Sequence, residues 1–132
     1  MSLTILNAKD YTKKLKATIH STGKLGFTDE TAKALGLSKE SYIKIAQDDA
    51  SSKLFLSVSD IQSDEAFKVC AAGQYFYLNT AALFNILNID YKKYNIMYDL
   101  KRAEEFDGEL GGAVYAMEAR ITNRKKEGGR NM

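Results

Sequence analysis

The 132-residue chain has no proline, no tryptophan, one cysteine and one histidine. Each scarcity removes an explanation. A single cysteine cannot build an internal disulfide framework, and it fits a reducing compartment, so a cytoplasmic location is expected. One His and one Cys do not supply a structural zinc site of the usual Cys/His kind. Without proline, nothing in the chain bars extensive strand pairing. No apolar run approaches the roughly 20 residues of a membrane span. The opening stretch "MSLTILNAKDYTKK" lacks a basic start followed by an apolar stretch, so it does not read as a secretory signal. There is no phosphate-cradling glycine loop, zinc-binding helix motif or serine-nucleophile elbow. No cofactor and no enzymatic activity are expected.

What is present describes a globular protein. The hydrophobic fraction is 45% and the charged fraction 27%. The length suits one domain with a modest core, or two small units sharing one core. The net charge of +2 hides an asymmetry: residues 1–24 and 120–132 together carry +8, and residues 25–119 carry −6. A protein that grips phosphate near its ends would have this distribution; one that coats nucleic acid with its whole surface would not.

Along the chain one rhythm occurs twice. "LKATIHS" (15–21) alternates as a half-buried strand does, "TGK" turns tightly at Gly23, and "LGF" (25–27) is a short second strand. Thr28 is placed to cap a helix with Asp29 and Glu30 in its first turn, and Gly36 to stop it. "SYIKIAQ" (41–47) and "KLFLSVS" (53–59) flank the turn "DDASS". Fifty residues after Gly23 the pattern restarts at Gly73. "FKVCAA" (67–72) and "YFYL" (75–78) are strands, Asn79 or Thr80 caps "AALFNILN", and Asn88 takes the stop position. "YNIMYDL" (94–100) and "AVYAMEARI" (113–121) close the second copy around an acidic loop. The expected organisation is a first β-β-α-β-β repeat over 11–60, a second over 66–121 sharing one core with it, and a basic disordered tail over 122–132.

The first copy, "STGKLGFTDETAKALGLSKESYIKIAQDDASSKLFLSVS", resembles the AbrB-like swapped-hairpin family. Gly23-Lys24, Leu25 to Phe27, Thr28 onwards, and Leu35-Gly36-Leu37 fill the places of that family's core pattern. The resemblance implies a barrel formed by two interdigitated copies, here in tandem on one chain. It also implies duplex DNA binding by a basic face, in transcriptional regulation or toxin–antitoxin control. The chain departs from the pattern. Ser21-Thr22 stand where an acid precedes the Gly, Lys24 stands for an Arg, Thr28 replaces a helix-opening Pro, and Gln74 takes the basic position of the second copy.

The candidate phosphate contacts are Lys13, Lys14, Lys16 and Lys24, joined by Arg124, Lys125 and Lys126 of the tail. The bland reading of the same residues is edge lysines that discourage strand association and a solubilising end. His20 and Cys70 each lie three residues before their copy's Gly; a Cys–His pair can make a nucleophile, but two sheet-face side chains are the simpler reading. Tyr75 and Tyr77 should share one face of their strand, with Phe76 on the other; stacking on bases competes with core packing. Glu104, Glu105, Asp107 and Glu109 crowd a loop whose spacing fits no known cation-binding signature.

The expected fold is therefore α+β: two β-β-α-β-β repeats forming a mostly antiparallel, barrel-like pseudo-dimer with short helices. A competing arrangement packs the same elements as two sheets with helices at the ends. The expected function is that of a non-enzymatic nucleic-acid-binding protein, a transcriptional regulator with a basic face. The alternative is a protein-interaction or scaffold module that keeps the fold without DNA binding. Either protein would act as a monomeric pseudo-dimer or a further homo-oligomer, away from the membrane.

Overall fold

The structure, a computed structural model, describes residues 2–6, 8 and 14–124. The described residues form nine strands: β1 (Leu15–Ile19), β2 (Leu25–Phe27), β3 (Tyr42–Gln47), β4 (Leu54–Ser59), β5 (Ala66–Lys68), β6 (Cys70–Ala72), β7 (Tyr75–Leu78), β8 (Tyr94–Arg102) and β9 (Val114–Asn123). Two short helices interrupt them, α1 (Asp29–Leu35) and α2 (Ala81–Ile86), with a 3-10 turn at Glu104–Phe106.

The strands form one sheet in the order β5-β3-β4-β9-β8-β1-β2-β7-β6. Every neighbouring pair is antiparallel. The two outermost strands, β5 and β6, are consecutive in the chain. Only Val69 separates them; it is 1% exposed, and its N–H donates to the Ser41 carbonyl at 3.0 Å. The expected single strand over 67–72 is thus split by a bend that passes the chain from β3 to β7. The sheet curls into a nearly closed barrel, which leaves few unpaired edges. Among the described residues no helix is long and apolar enough to cross a membrane.

The inward positions build one main core. Ala17, Ile19, Leu25, Ile43, Leu56, Leu78, Ile96 and Tyr98 are all buried in it, with Ala32 of α1 and Phe84 of α2. Burial also pushes the Tyr98 phenol up to about 12. At the far end of the β8–β9 hairpin, Arg102 grips Asp107 with two bonds of 2.6 and 2.7 Å, and the Val114 N–H donates to the same carboxylate at 3.1 Å. The Arg102 bonds, with that N–H, hold Asp107 down at about 2.

Helix α1 is capped locally. The Thr28 hydroxyl accepts from the Thr31 N–H at 3.2 Å, and Gly36 ends the helix at φ 68. Helix α2 is not. Thr80 occupies the cap position, but its hydroxyl makes no cap bond. It donates to the Gly23 carbonyl at 2.9 Å and accepts from the Leu25 N–H at 3.1 Å. The expected cap is therefore a tertiary clasp that fixes the β1–β2 turn to the start of α2. Asn88, at φ 60, stands in the left-handed position after the helix, as Gly36 does after the first.

Candidate nucleic-acid interface

Strand alternation sorts the outer surface. On β1, Ala17 and Ile19 point inward, so Lys16 and Thr18 face out and His20 continues their row. On β7, Leu78 is buried and Phe76 packs against the core, so Tyr75 and Tyr77 face out together. Their rings stack at 5.9 Å between centroids with 22° between planes. The Lys24 ammonium sits 4.7 Å from the centre of the Tyr77 ring. Tyr75 reaches across β2 to hydrogen-bond His20 Nε2, with the two rings edge to face at 5.7 Å.

Gly26 makes that crossing feasible. A Cβ there would overlap the Tyr75 hydroxyl and come within 2.6 Å of His20 Nε2. A glycine inside a strand marks a close approach, and the "LGF" of β2 was the one signal of this contact in the sequence. Beside it an open concavity of about 540 Å³ is walled by Thr18, His20, Thr28, Gln74 and Tyr75.

His20 also reports the local field. Partial burial lowers its pKa from the ordinary 6.5, and the nearby charges of Arg124 and Lys24 lower it further. Lys24 ends the β1–β2 turn, and Arg124 follows β9. The registers place both at one end of the barrel: Ile19 lies opposite Leu25 and Ile96, and Tyr94 opposite Asn123, so the end of β1, the start of β2, the start of β8 and the end of β9 share one rim. Lys92 and Lys93 are exposed on the same rim, with Asp90 accepting from the Lys93 N–H at 3.1 Å. Sequence reasoning missed these two lysines; only their place just before β8 signals them.

Arg124 has a structural duty as well. Its guanidinium donates to the Tyr91 carbonyl at 2.8 Å and the Tyr94 carbonyl at 3.2 Å, while its buried Nε has no partner among the described residues. It clips the turn that carries Lys92 and Lys93.

The remaining candidates fall elsewhere. Lys16 lies opposite Asp99, toward the other end of β1. At ~3.3 Å per residue that is roughly 13 Å along the strand from His20. Lys14 is exposed just before β1 begins opposite Leu100. Lys13, Lys125 and Lys126 lie outside the described residues, as does most of the expected tail. The structure thus puts Lys24 and Arg124 on one rim and Lys14 and Lys16 toward the other end of β1. His20 and Cys70 take different partners: the thiol is met by the Asn79 amide at 3.5 Å and the Lys68 carbonyl at 3.7 Å. Among the described residues no group of three or more His, Cys, Asp or Glu side chains could hold a metal ion.

No family model, curated protein or solved structure matches the chain.

Two results are expected from this geometry. His20 is the only histidine, so its ring signals in a proton NMR titration report this site alone. Its folded pKa should lie below 6.5, the unfolded value. The unfolded state then binds more protons between the two values, so stability rises with pH through that window and falls on acidification. Gly26→Ala should expel the Tyr75 hydroxyl from His20, relieve part of the burial, and move that pKa back toward 6.5. An unmoved titration would show that the Tyr75 contact does not shape the His20 environment.

Proposed function

We propose that the protein is a non-enzymatic nucleic-acid-binding protein, a transcriptional regulator that holds phosphates on the rim that carries Lys24 and Arg124. The observation that carries this reading is the strand register, which puts Lys24, at the end of the β1–β2 turn, and Arg124, just after β9, on one rim of the barrel although they are a hundred positions apart in the chain. Lys92 and Lys93 share that rim, with Asp90 bonded to the Lys93 N–H. Tyr75 and Tyr77 offer stacking faces beside it. The tail residues Lys125 and Lys126 follow directly on Arg124 in the sequence and add two positive charges to that end of the chain.

The same reading takes the chain as two β-β-α-β-β copies in a swapped-hairpin barrel of the AbrB-like kind. Its support is the pairing. β2 pairs with β7 and β4 with β9, each strand lying against its own counterpart in the other copy. The β1–β8 pair is matched by the β3–β5 pair across the Val69 bend.

Fluorescence anisotropy with labelled single- and double-stranded oligonucleotides tests the proposal. If Lys24, Arg124 and one of Lys92 or Lys93 each neutralise a phosphate, duplex affinity should fall by roughly 40-fold between about 50 and 200 mM salt. Lys24→Ala should weaken binding and reduce the slope of log affinity against log salt by about 1. Lys14→Ala, away from the rim, should change neither. Absence of binding to either nucleic acid at low salt would sink the proposal and favour a protein partner.

A further inference from the structure

The β9 strand is paired on both sides for only part of its length. Against β8 it pairs from Tyr115 to Asn123, but against β4 only from Val114 to Met117. From Glu118 to Asn123 its outer edge faces no strand among the described residues. The backbone polarity of that edge follows from the hairpin. Arg124 N–H donates to Lys93 and Ala103 N–H to Val114, so the even-numbered residues of β9 turn both backbone groups toward β8. Ala119, Ile121 and Asn123 therefore turn theirs outward, an open row of donors and acceptors ready to pair with an added strand.

The side chains beneath that edge are incompletely covered. Ile121 lies opposite Ile96 and points inward like it, yet Ile121 is 59% exposed and Ile96 only 2%. The gap is a slot of about 490 Å³ lined by Leu54, Leu87, Ile89, Met117 and Ile121. An apolar slot beside a free edge is a docking site in want of a strand.

The chain carries a segment of matching pattern. Residues 2–6, "SLTIL", alternate polar and apolar through Ile5, and Leu3 and Ile5 are 89% and 94% exposed. Laid antiparallel on β9 with Leu3 opposite Ile121, Ile5 falls opposite Ala119. Both apolar side chains then enter the slot, while Ser2 and Thr4 face water. In its own chain the segment is not seated there: Leu3 and Ile5 stay exposed, and none of residues 2–6 lines the slot. We propose that the slot takes the Ser2–Leu6 segment of a second copy, and that two copies exchange these strands reciprocally in a two-fold dimer. Each contact is small, but the symmetric exchange makes it twice.

The test is light scattering on the full chain from micromolar to near-millimolar concentration, with amide hydrogen exchange at each end of the range. A dimer should accumulate with concentration, and the Ala119, Ile121 and Asn123 amides should become protected with it. In Leu3→Asp/Ile5→Asp the protein should stay monomeric, and those three amides should exchange at least ten-fold faster than in the wild-type dimer. Arg120 and Thr122, bonded to β8, should stay protected in both and show that the variant is folded. A wild-type monomer at every concentration, protection of the three amides in a monomer, or a dimer that survives the double substitution would each overturn the proposal.

Discussion

Gly23→Ala should destabilise the protein by about 2–5 kcal/mol, read as a loss in urea-unfolding free energy. Two costs combine. Gly23 holds φ +89, a left-handed conformation that costs an L-residue about 1–2 kcal/mol. An added Cβ would also meet Ala81 Cβ at 2.5 Å, Ala81 Cα at 2.8 Å and the Tyr91 ring at 3.0 Å. Ala81 opens α2, which the Thr80 hydroxyl holds against the same turn, so little can yield; overpacking of this kind costs about 1–3 kcal/mol. Gly73 provides the control. It has φ +65 but nothing within 4 Å of a built Cβ, so Gly73→Ala should cost only about 1–2 kcal/mol. Equal losses in the two variants would mean that the β1–β2 turn is not pinned against α2.

Phe84→Ala should cost about 3–5 kcal/mol. Helix α2 has six residues, no side-chain cap bond, and no favourable charge in its first or last turn. A helix so short has little stability of its own and depends on packing. Phe84 is its one buried residue and is fully enclosed, whereas α1 contributes only Ala32 and Thr31. Removing the ring leaves a cavity at the barrel end and loosens the turn after it. That turn includes Tyr91, whose hydroxyl donates to Asn85 at 2.9 Å, and then Lys92 and Lys93. The variant should therefore also weaken any binding that uses the basic rim. A loss under about 1 kcal/mol would mean that the barrel end closes without the ring.

Much of this fold could be read from alternation and punctuation, and the exceptions share a cause. Strand faces followed from period-two patterns, and the helix stops from Gly36 and Asn88. Thr28 and Thr80 carry the same local signal, a hydroxyl just before a helix. One caps its helix and the other binds a turn 57 positions away, a choice that only tertiary packing decides. The break at Val69 was equally hidden, because "FKVCAA" reads locally as one strand and is bent by having two different partners, β3 and β7. For the candidate site, the sequence marked Lys24 and Arg124 only as two of seven basic candidates. That they share a rim depends on strand register across β2, β1, β8 and β9, which no local pattern encodes. The same registers place Lys16 opposite Asp99 and Lys14 just before the Leu15–Leu100 pair. The His20–Tyr75 contact left one trace, the glycine inside β2.

The seams of the barrel have a consequence in time. Leu15 meets Leu100, Leu25 meets Leu78 and Leu54 meets Met117, contacts between residues 85, 53 and 63 positions apart. The β3–β4 and β8–β9 hairpins need only their own turns and can form early. The seams that join them cannot form until distant parts of the chain have found each other, and such non-local pairing is slow, on the order of milliseconds to seconds. Until the seams close, the inward faces of both hairpins are open to solvent and to neighbouring chains. The newly made protein is therefore most exposed to misassociation after its hairpins exist and before its barrel does.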